Sequence, residues 1–277
     1  MQVWIGTSGY SYPDWVGSFY PAGTRPQRML GHYCRVFPLV ELNFTYYRPP
    51  TPGMLARLSR QTPSSFQFLV KLPRTLSHEE HIRDLLGFRH AVDTLKNEGK
   101  LAGLLCQLPQ AAHRTRTHSA WLERLAGELG EYRLAVEFRH RTWASSEVTA
   151  WMRDRRMDLV AVDVPDLPNL FPRGLVQSRE RLYIRLHSRE AGNWYASGAD
   201  RYDYDYADWE LAEWAKALAE HADRAELAYV LFNNCAGGQA ATNAVRMRTI
   251  LEQHAPMCQL VPPFPESAAG DQPSLFD

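Results

Sequence analysis

The sequence has 277 residues, 45% of them hydrophobic and 12% aromatic, so it can bury a sizeable core within one domain. Its 31 Lys and Arg residues balance its 31 Asp and Glu residues, so net charge gives no argument for a nucleic-acid or anionic-membrane partner, and any such attraction needs a local patch. The four scattered cysteines, the lack of an apolar run near ~18 residues and the lack of a signal-like amino terminus predict a cytoplasmic protein with no membrane partner.

Eight short apolar runs predict β-strands, and segments with helical spacing lie between them. Most of these runs are nearly continuous in aliphatic residues, which is typical of parallel strands covered on both faces. The predicted strands are Val3–Thr7, Val40–Thr45, Phe66–Lys71, Leu101–Gln107, Leu134–Arg139, Leu159–Val164, Leu182–His187 and Leu227–Asn233. The predicted helices are Met29–Phe37, Met54–Arg60, His81–Asn97, Trp121–Leu129, Glu147–Arg156, Trp209–Ala222 and Ala240–His254.

The regular alternation of strand and helix predicts an α/β fold, a single (β/α)8 TIM-type barrel with parallel strands and outer helices, over residues 1–265. A doubly wound open sheet is the alternative, but the turn Gly6-Thr7-Ser8-Gly9 lacks the glycine spacing of a pyrophosphate-binding loop. Prolines between Asp163 and Leu182 predict an irregular loop in place of a helix, and Ser188–Asp208 is a second long loop. Residues 266–277 are small and polar, which predicts a disordered tail.

Polar side chains stand at the end of every predicted strand. The carboxyl ends of barrel strands form the active face, so these side chains are expected to meet there. Buried charge is costly unless it is paired, so the ring is either an ion-paired layer or a binding site. One such residue alone is more often a salt-bridge partner, but so many together favour a site. The candidates for catalysis are Glu41, Glu137, Asp163 and His187, and those for substrate binding are Tyr10, Asn43, Tyr46, Lys71, Gln107, Arg139, Arg185, Trp194 and Asn233.

Two kinds of ligand suit this set of side chains. Carboxylates and imidazoles that converge would suit a divalent metal such as Mg, Mn or Zn. The cations Lys71, Arg139 and Arg185 can neutralise the carboxylates directly, which disfavours a metal and favours a phosphate group held by guanidinium forks and a lysine. Glu137 and Glu41 would then act as general acid and base around His187. A metal cofactor is left open as the less favoured hypothesis.

A series of motifs follows in order between Ile5 and Leu251. They are Ile5-Gly-Thr-Ser-Gly-Tyr, Phe19-Tyr-Pro, Val40-Glu-Leu-Asn-Phe-Thr-Tyr-Tyr-Arg, Val70-Lys-Leu-Pro, Gln107-Leu-Pro, Ala135-Val-Glu-Phe-Arg-His, Asp163-Val-Pro, Ile184-Arg-Leu-His, Trp194-Tyr and Phe232-Asn-Asn. With these motifs the sequence resembles the YecE-like family, a family of unknown function with a (β/α)8 barrel. The resemblance implies the barrel and leaves every charged strand-end position in place, but it implies no reaction.

The leading hypothesis is a hydrolase or lyase, for example a phosphoesterase, acting on a phosphate-bearing small molecule or on nucleic acid in DNA repair. Arg114 and Arg116, together with the rim aromatics, suit a polyanion with stackable bases. One alternative is a non-catalytic nucleic-acid or sliding-clamp-associated module, and another is a carbohydrate-active or metal-dependent sugar enzyme. The tail segment Gln272-Pro-Ser-Leu-Phe276 resembles the short peptide that docks bacterial repair proteins on the sliding clamp, with Pro273 where Leu is usual.

Overall fold

The computed structural model describes residues 1–195 and 198–263, and in it eight parallel strands form a closed barrel. The strands are β1 Gln2–Ser8, β2 Leu39–Leu42, β3 Gln67–Lys71, β4 Leu101–Gln107, β5 Leu134–Glu137, β6 Asp158–Asp163, β7 Arg181–Leu186 and β8 Leu227–Phe232. Closure comes from β1, which pairs with β8 on one side and with β2 on the other. The predicted (β/α)8 barrel is therefore confirmed. A further short strand, β9 Gln259–Leu260, pairs with the start of β1.

Helices surround the barrel between most of the strands. They are α1 Pro26–Tyr33, α2 Pro52–Arg60, α3 Arg74–Ser77, α4 Leu85–Asn97, α5 Arg116–Leu129, α6 Ser146–Asp154, α7 Asp208–Glu220 and α8 Gln239–His254. Of those that begin earlier than predicted, α1 and α5 show the largest shifts, of three and five residues, and each has a local reason. Pro26 suits the first position of α1, and the Thr115 hydroxyl accepts a hydrogen bond from the backbone N–H of His118 at the start of α5. The short helix α3 was not predicted.

The two long loops follow β6 and β7, as the sequence predicts. Residues 164–180, all of them described, run through turns and bends from β6 to β7 without a helix. The loop after β7 carries a 3₁₀ turn at Gly198–Tyr202 before α7 begins, and residues 196 and 197 lie outside the described part. The predicted tail, including Gln272–Phe276, also lies outside it, so the clamp-binding motif stays a prediction. Within the described ranges, no helix has both the length and the apolar character needed to cross a bilayer.

Alternation along the strands decides which side chains enter the barrel. On β7, Tyr183 and Arg185 both reach Glu41 of β2 on the far side of the barrel, so the odd-numbered residues of this strand face inward. The even-numbered residues of β7, Leu182 and Ile184 among them, are buried as well, which accounts for the nearly continuous apolar pattern of the strand.

Gly6 lets β1 and β2 approach closely. A Cβ atom at this position would lie 2.2 Å from the backbone oxygen of Leu39, so no larger residue fits without moving the strand. The Tyr33 hydroxyl of α1 fills the same corner, donating to the Leu39 oxygen and accepting from the Thr7 N–H. This corner fixes β1 beside the strand that carries Glu41 and Asn43.

Candidate functional site

A cavity of about 540 Å³ opens at the carboxyl ends of the strands, where the barrel architecture places active sites. Strand ends supply its floor and the loops after the strands supply its walls. It is lined by Tyr12, Asn43, Tyr46, Tyr47, Lys71, His78, Gln107, Pro109, Gln110, Arg139, Leu170, Trp194, Tyr195, Arg201, Tyr202, Asn233 and Cys235. No aspartate or glutamate is among these described lining residues, so the wall is cationic and aromatic.

A sealed ion-paired layer lies deeper in the barrel, and Arg185 is at its centre. The Arg185 Nε and Nη2 atoms contact the two carboxylate oxygens of Glu41 at 3.0 and 2.6 Å, and Nη1 contacts Glu137. The Tyr183 hydroxyl also donates to Glu41, and Ser8 Oγ lies 3.2 Å from Arg185 Nη2. The three charged side chains have 0% exposure. Each charge has a directed partner, which is the condition under which burial of charge is tolerated.

Glu137 connects this layer to the cavity. One of its oxygens contacts Arg185, and the other contacts Arg139 Nε and lies 3.4 Å from His187 Nε2. Burial alone would raise the pKa of Glu137, but Arg139, Arg185 and His187 outweigh it and hold the pKa well below its usual range. Burial and the neighbouring Arg139 lower the pKa of His187 to about 3. At neutral pH, Glu137 is therefore ionised and His187 is neutral.

A chain of side-chain amides fixes the His187 ring. Asn43 Nδ2 donates to Asn233 Oδ1 at 3.3 Å, and Asn233 Nδ2 lies 2.9 Å from His187 Nδ1. With Nδ1 accepting from Asn233, the ring proton of the neutral histidine is on Nε2, which faces Glu137. Asn43 Oδ1 is buried and has no hydrogen-bond partner among the described residues, although Asn43 lines the cavity. That oxygen is an acceptor available to a bound ligand.

Lys71 stands at the last position of β3, on the cavity floor. Its amine donates to Gln107 Oε1 at 2.8 Å and lies 4.7 Å from the centre of the Tyr46 ring. Among the described residues, no carboxylate oxygen comes within salt-bridge distance of it. Burial and the nearby Arg185 lower the pKa of Lys71 to about 7, although Glu41 and Glu137 oppose the shift. The lowered pKa makes the neutral amine accessible near neutral pH.

On the opposite wall, the guanidinium groups of Arg139 and Arg201 both lie close to the Trp194 ring. The guanidinium carbon of Arg139 lies 5.5 Å from the Trp194 ring centre and that of Arg201 lies 4.9 Å from it. Arg201 also lies 6.0 Å from the Tyr202 ring, and His187 meets Trp194 edge-on. Arg139 Nη1 is buried without a partner in the described residues. The wall thus offers cation–π-supported guanidinium groups to an anion.

Most of the predicted substrate-binding residues line the cavity. They are Asn43, Tyr46, Lys71, Gln107, Arg139, Trp194 and Asn233. Arg185 lies in the sealed layer below instead, and Tyr10 packs near Tyr33, outside the lining. Of the predicted catalytic residues, Glu137 and His187 contact each other behind the lining residue Arg139 without lining the cavity themselves, and Glu41 belongs to the sealed layer.

Asp163 does not join this group, because it faces the other side of its strand. Asp158 of β6 contacts the inward-facing Arg181 of β7, so a residue five positions later points outward. Asp163 accepts from the Arg189 guanidinium at 2.9 to 3.0 Å and from the Trp214 indole of α7. It fastens an outer helix and the loop after β7 to the barrel. The structure thus gives this carboxylate the position of an anchor, away from the cavity.

The basic part of the loop after β4 is likewise outside the lining, although Pro109 and Gln110 of the same loop belong to it. His113 stacks on His140 at 3.8 Å, and Arg114 pairs with Glu147 at the surface. The predicted basic rim at Arg114 and Arg116 therefore does not contribute to the cavity wall.

Several lining residues were not predicted as site residues. Tyr12 and His78 lie on short loops, and Arg201 with Tyr202 comes from the long loop after β7. The only sequence feature that could have indicated these residues is their position in loops that follow strand ends. This feature is clearest in the tyrosine-rich segment Ser188–Asp208. Cys235 also lines the cavity, where burial raises its pKa to about 12, so the thiol is not poised to react.

The donor set does not fit a divalent metal. Within the described ranges, no group of three or more His, Cys, Asp or Glu side chains is placed to hold an ion. Glu41 and Glu137, the carboxylates that a metal would need, direct their oxygens at Arg185 and Arg139. A metal at this floor would have to displace both guanidinium groups.

The fold and its strand-end cavity define a (β/α)8 barrel with a cationic site at the carboxyl face. The family model described as "Protein of unknown function DUF72" matches residues 4–269, and the chain belongs to this family. The UPF0759 protein YunF of Bacillus subtilis (strain 168) is 28% identical over 273 residues, which cover 91% of this chain and 95% of YunF. The UPF0759 protein YecE of Escherichia coli (strain K12) is 31% identical over 148 residues, which cover 50% of this chain and 49% of YecE.

A crystal structure of a DUF72 family protein from Thermotoga maritima MSB8 is similar to this chain with a TM-score of 0.84 and 37% sequence identity. The match covers 91% of this chain and 100% of that one. The resemblance to the YecE-like family is thereby confirmed, and so is the barrel.

Proposed function

We propose that the protein is a hydrolase or lyase that acts on a phosphate-bearing substrate bound in the cavity. The observation that carries the proposal is the charge of the lining. Lys71, Arg139 and Arg201 line one cavity, and no described carboxylate shares its surface. Cations that converge on a partly enclosed space attract an anion, and guanidinium forks match the oxygens of phosphate. The ion-paired layer below keeps Glu41 and Glu137 from cancelling this charge.

The size and lining of the cavity favour a small substrate with a polar body. About 540 Å³ lies within the range of small-molecule sites. Amide groups of Asn43, Gln107 and Asn233 can bind hydroxyl or carbonyl groups, and the exposed ring of Tyr47 offers a flat apolar face. A phosphorylated sugar or the terminal nucleotide of a strand would use all three kinds of group.

Glu137 and His187 are the predicted catalytic residues that lie nearest to a substrate in the cavity, because they contact the lining residues Arg139 and Asn233. Glu137 is held ionised by three cationic or donor neighbours, and His187 is held neutral with one ring nitrogen toward it. Glu41 and Asp163 instead suit structural roles, since Arg185 and Arg189 take up their oxygens. We therefore propose that the reaction takes place at the cavity floor, next to Asn43 Oδ1.

A nucleic-acid ligand is the second candidate, and the rim favours it. Tyr47 and Tyr195 are 81% and 66% exposed at the cavity mouth, where large aromatic side chains are available for stacking on a base. In this version, the terminal phosphate enters the cavity and one or two bases lie on the rim.

Calorimetric titration of matched ligands tests the phosphate proposal. We expect glycerol 3-phosphate to bind and glycerol not to bind. We expect Arg201→Gln to weaken phosphate binding by about 10- to 150-fold, since a charge-assisted hydrogen bond contributes about 1.5–3 kcal/mol. Arg124→Gln, an exposed arginine on the outer helix α5, is the control and should leave affinity unchanged. Equal affinity for both ligands, or an equal effect of both substitutions, would contradict the proposal.

Catalysis needs a separate measurement. Glu137→Gln should bind the phosphate ligand and lose turnover in a screen of phosphorylated sugars and oligonucleotides. Binding without turnover in the unmutated protein across this screen would favour the non-catalytic module.

A further inference from the structure

Lysine is rare in this chain, and one of its few lysines lies at the centre of the site. The sequence contains four, Lys71, Lys96, Lys100 and Lys216, among 31 basic residues. Arginine therefore carries most of the positive charge of this protein. An amine at the floor of the barrel offers something that a guanidinium group does not, which is a nitrogen lone pair at neutral pH.

Of the four lysines, Lys71 is the one that both lines the cavity and has a lowered pKa. Lys96 pairs with Glu131 at the surface, and Lys216 is exposed on α7. Lys100 is the instructive comparison, because it is also buried. Its amine donates to the backbone oxygens of Ser59 and Thr62 at 2.7 and 2.9 Å, away from the cavity. Lys100 is a satisfied structural lysine.

The Lys71 amine is held in place by Gln107 and Tyr46, but it makes fewer hydrogen bonds than its N–H groups allow. Gln107 Oε1 accepts one of its N–H groups at 2.8 Å, and the Tyr46 ring covers one side at 4.7 Å. An ammonium group has three protons to donate, and only this one side-chain acceptor lies within hydrogen-bond range in the described residues. The Tyr46 ring favours the charged form, but burial and Arg185 outweigh it and lower the pKa of the amine to about 7.

We propose that Lys71 Nζ is a nucleophile that forms an imine with the carbonyl carbon of a phosphate-bearing aldehyde or ketone bound in the cavity. This inference rests on the proposed function, because the phosphate is what holds the carbonyl group against the lysine. It narrows the reaction class from hydrolase or lyase to lyase. The phosphate lies toward Arg139 and Arg201, and the carbonyl lies toward the amide groups of Asn43 and Gln107.

The step balances without a metal or a redox partner. The lone pair of the neutral amine attacks the carbonyl carbon, and a proton moves from nitrogen to oxygen to give a carbinolamine. The nitrogen lone pair then forms the C=N bond as the C–O bond breaks, and the remaining N–H proton moves to the departing hydroxyl group, which leaves as water. Protonation of the imine makes the carbon an electron sink, so an adjacent bond can break with its electron pair flowing toward nitrogen. Hydrolysis of the imine returns the free amine.

Reductive trapping on the full-length protein tests this inference. The protein is incubated with glyceraldehyde 3-phosphate and sodium cyanoborohydride, which reduces an imine to a stable secondary amine, and the modified residue is located by peptide mass spectrometry. We expect a single adduct on Lys71 that forms faster as the pH rises through about 7. Lys71→Arg keeps the charge and should lower labelling to background. Lys216→Arg, at an exposed site, should leave labelling unchanged.

Two companion ligands separate this inference from the proposed function. Glycerol 3-phosphate has the phosphate but no carbonyl group, so it should bind and protect Lys71 from labelling. Unphosphorylated glyceraldehyde should label Lys71 far more slowly than its phosphate. Binding of glycerol 3-phosphate with no adduct from glyceraldehyde 3-phosphate would overturn the imine and leave the phosphate site standing.

Two other outcomes would also overturn the inference. Equal labelling of Lys71 by glyceraldehyde and its phosphate, without binding of glycerol 3-phosphate, would overturn the phosphate site and with it this inference. Adducts spread over Lys96, Lys100, Lys216 and the amino terminus would overturn it as well. Mapping on the unmutated protein suffices for these outcomes even if Lys71→Arg does not fold.

Discussion

Arg185→Met is expected to destabilise the fold by about 3–5 kcal/mol, because it leaves two buried carboxylates without their shared cation. Arg185 contacts both oxygens of Glu41, at 2.6 and 3.0 Å, and one oxygen of Glu137, and all three side chains have 0% exposure. Methionine fills much of the same space, so most of the loss is electrostatic. For a domain with about 5–15 kcal/mol of total stability, this is a large fraction.

Urea unfolding followed by circular dichroism measures the effect. The control is Arg246→Met, which also removes an arginine from two carboxylates. Arg246 lies 3.2 Å from Asp205 and contacts Asp208, but it is at the surface and 33% exposed. Exposed pairs contribute about 0–1 kcal/mol, so Arg246→Met should barely move the unfolding midpoint. If the two variants had equal midpoints, the interpretation of the buried layer as a stabilising ion cluster would be refuted.

The pH dependence separates charge from packing in this experiment. Lowering the pH protonates the carboxylates that Arg185→Met leaves uncompensated, so the stability deficit of the variant should shrink. A deficit of the same size from pH 8 to pH 5 would instead mean that the methionine packs poorly.

Two further predictions concern single positions. In the folded protein the pKa of Lys71 is lowered from 10.5 to about 7, so between these pH values the unfolded chain binds one proton more than the folded one and stability rises with pH. This rise is on the order of 1.4 kcal/mol per pH unit. Lys71→Met should lack it in urea unfolding measured at pH 7, 8 and 9. Gly6→Ala should destabilise the fold by more than about 2 kcal/mol, because its Cβ would lie 2.2 Å from the Leu39 oxygen. The control Gly31→Ala, in α1, has open space around its Cβ and should stabilise the fold by about 0.5–1 kcal/mol. Equal thermal unfolding midpoints for the two variants would contradict this prediction.

The barrel and the position of the site could be predicted because both follow from periodicity. Apolar runs that alternate with helical segments leave few other folds, and pairs such as Glu137/Arg139 and Arg185/His187 share a face through the two-residue period of a strand. The structure shows both pairs facing inward. The sequence also indicated the missing helix after β6, since prolines interrupt that segment.

Depth and facing could not be predicted from one strand alone. Asp163 ends an apolar strand just as Glu137 does, yet it points outward, and only the contact of Asp158 with Arg181 reveals the facing of β6. Glu41 faces inward as expected, but the sequence does not show that the cavity begins one layer above it. Arg201 depends on the path of a long loop, which no local pattern specifies.

The charges of the site explain why stability and binding should respond to different residues. Arg139 of the cavity lining and the buried Arg185 face Glu41 and Glu137, two positive charges against two negative ones, so these four side chains are neutral as a whole. The attraction for an anion must then come chiefly from Lys71 and Arg201, which have no carboxylate partner among the described residues. Arg185→Met should therefore destabilise the barrel before it alters affinity, whereas Arg201→Gln should alter affinity in a barrel that stays folded.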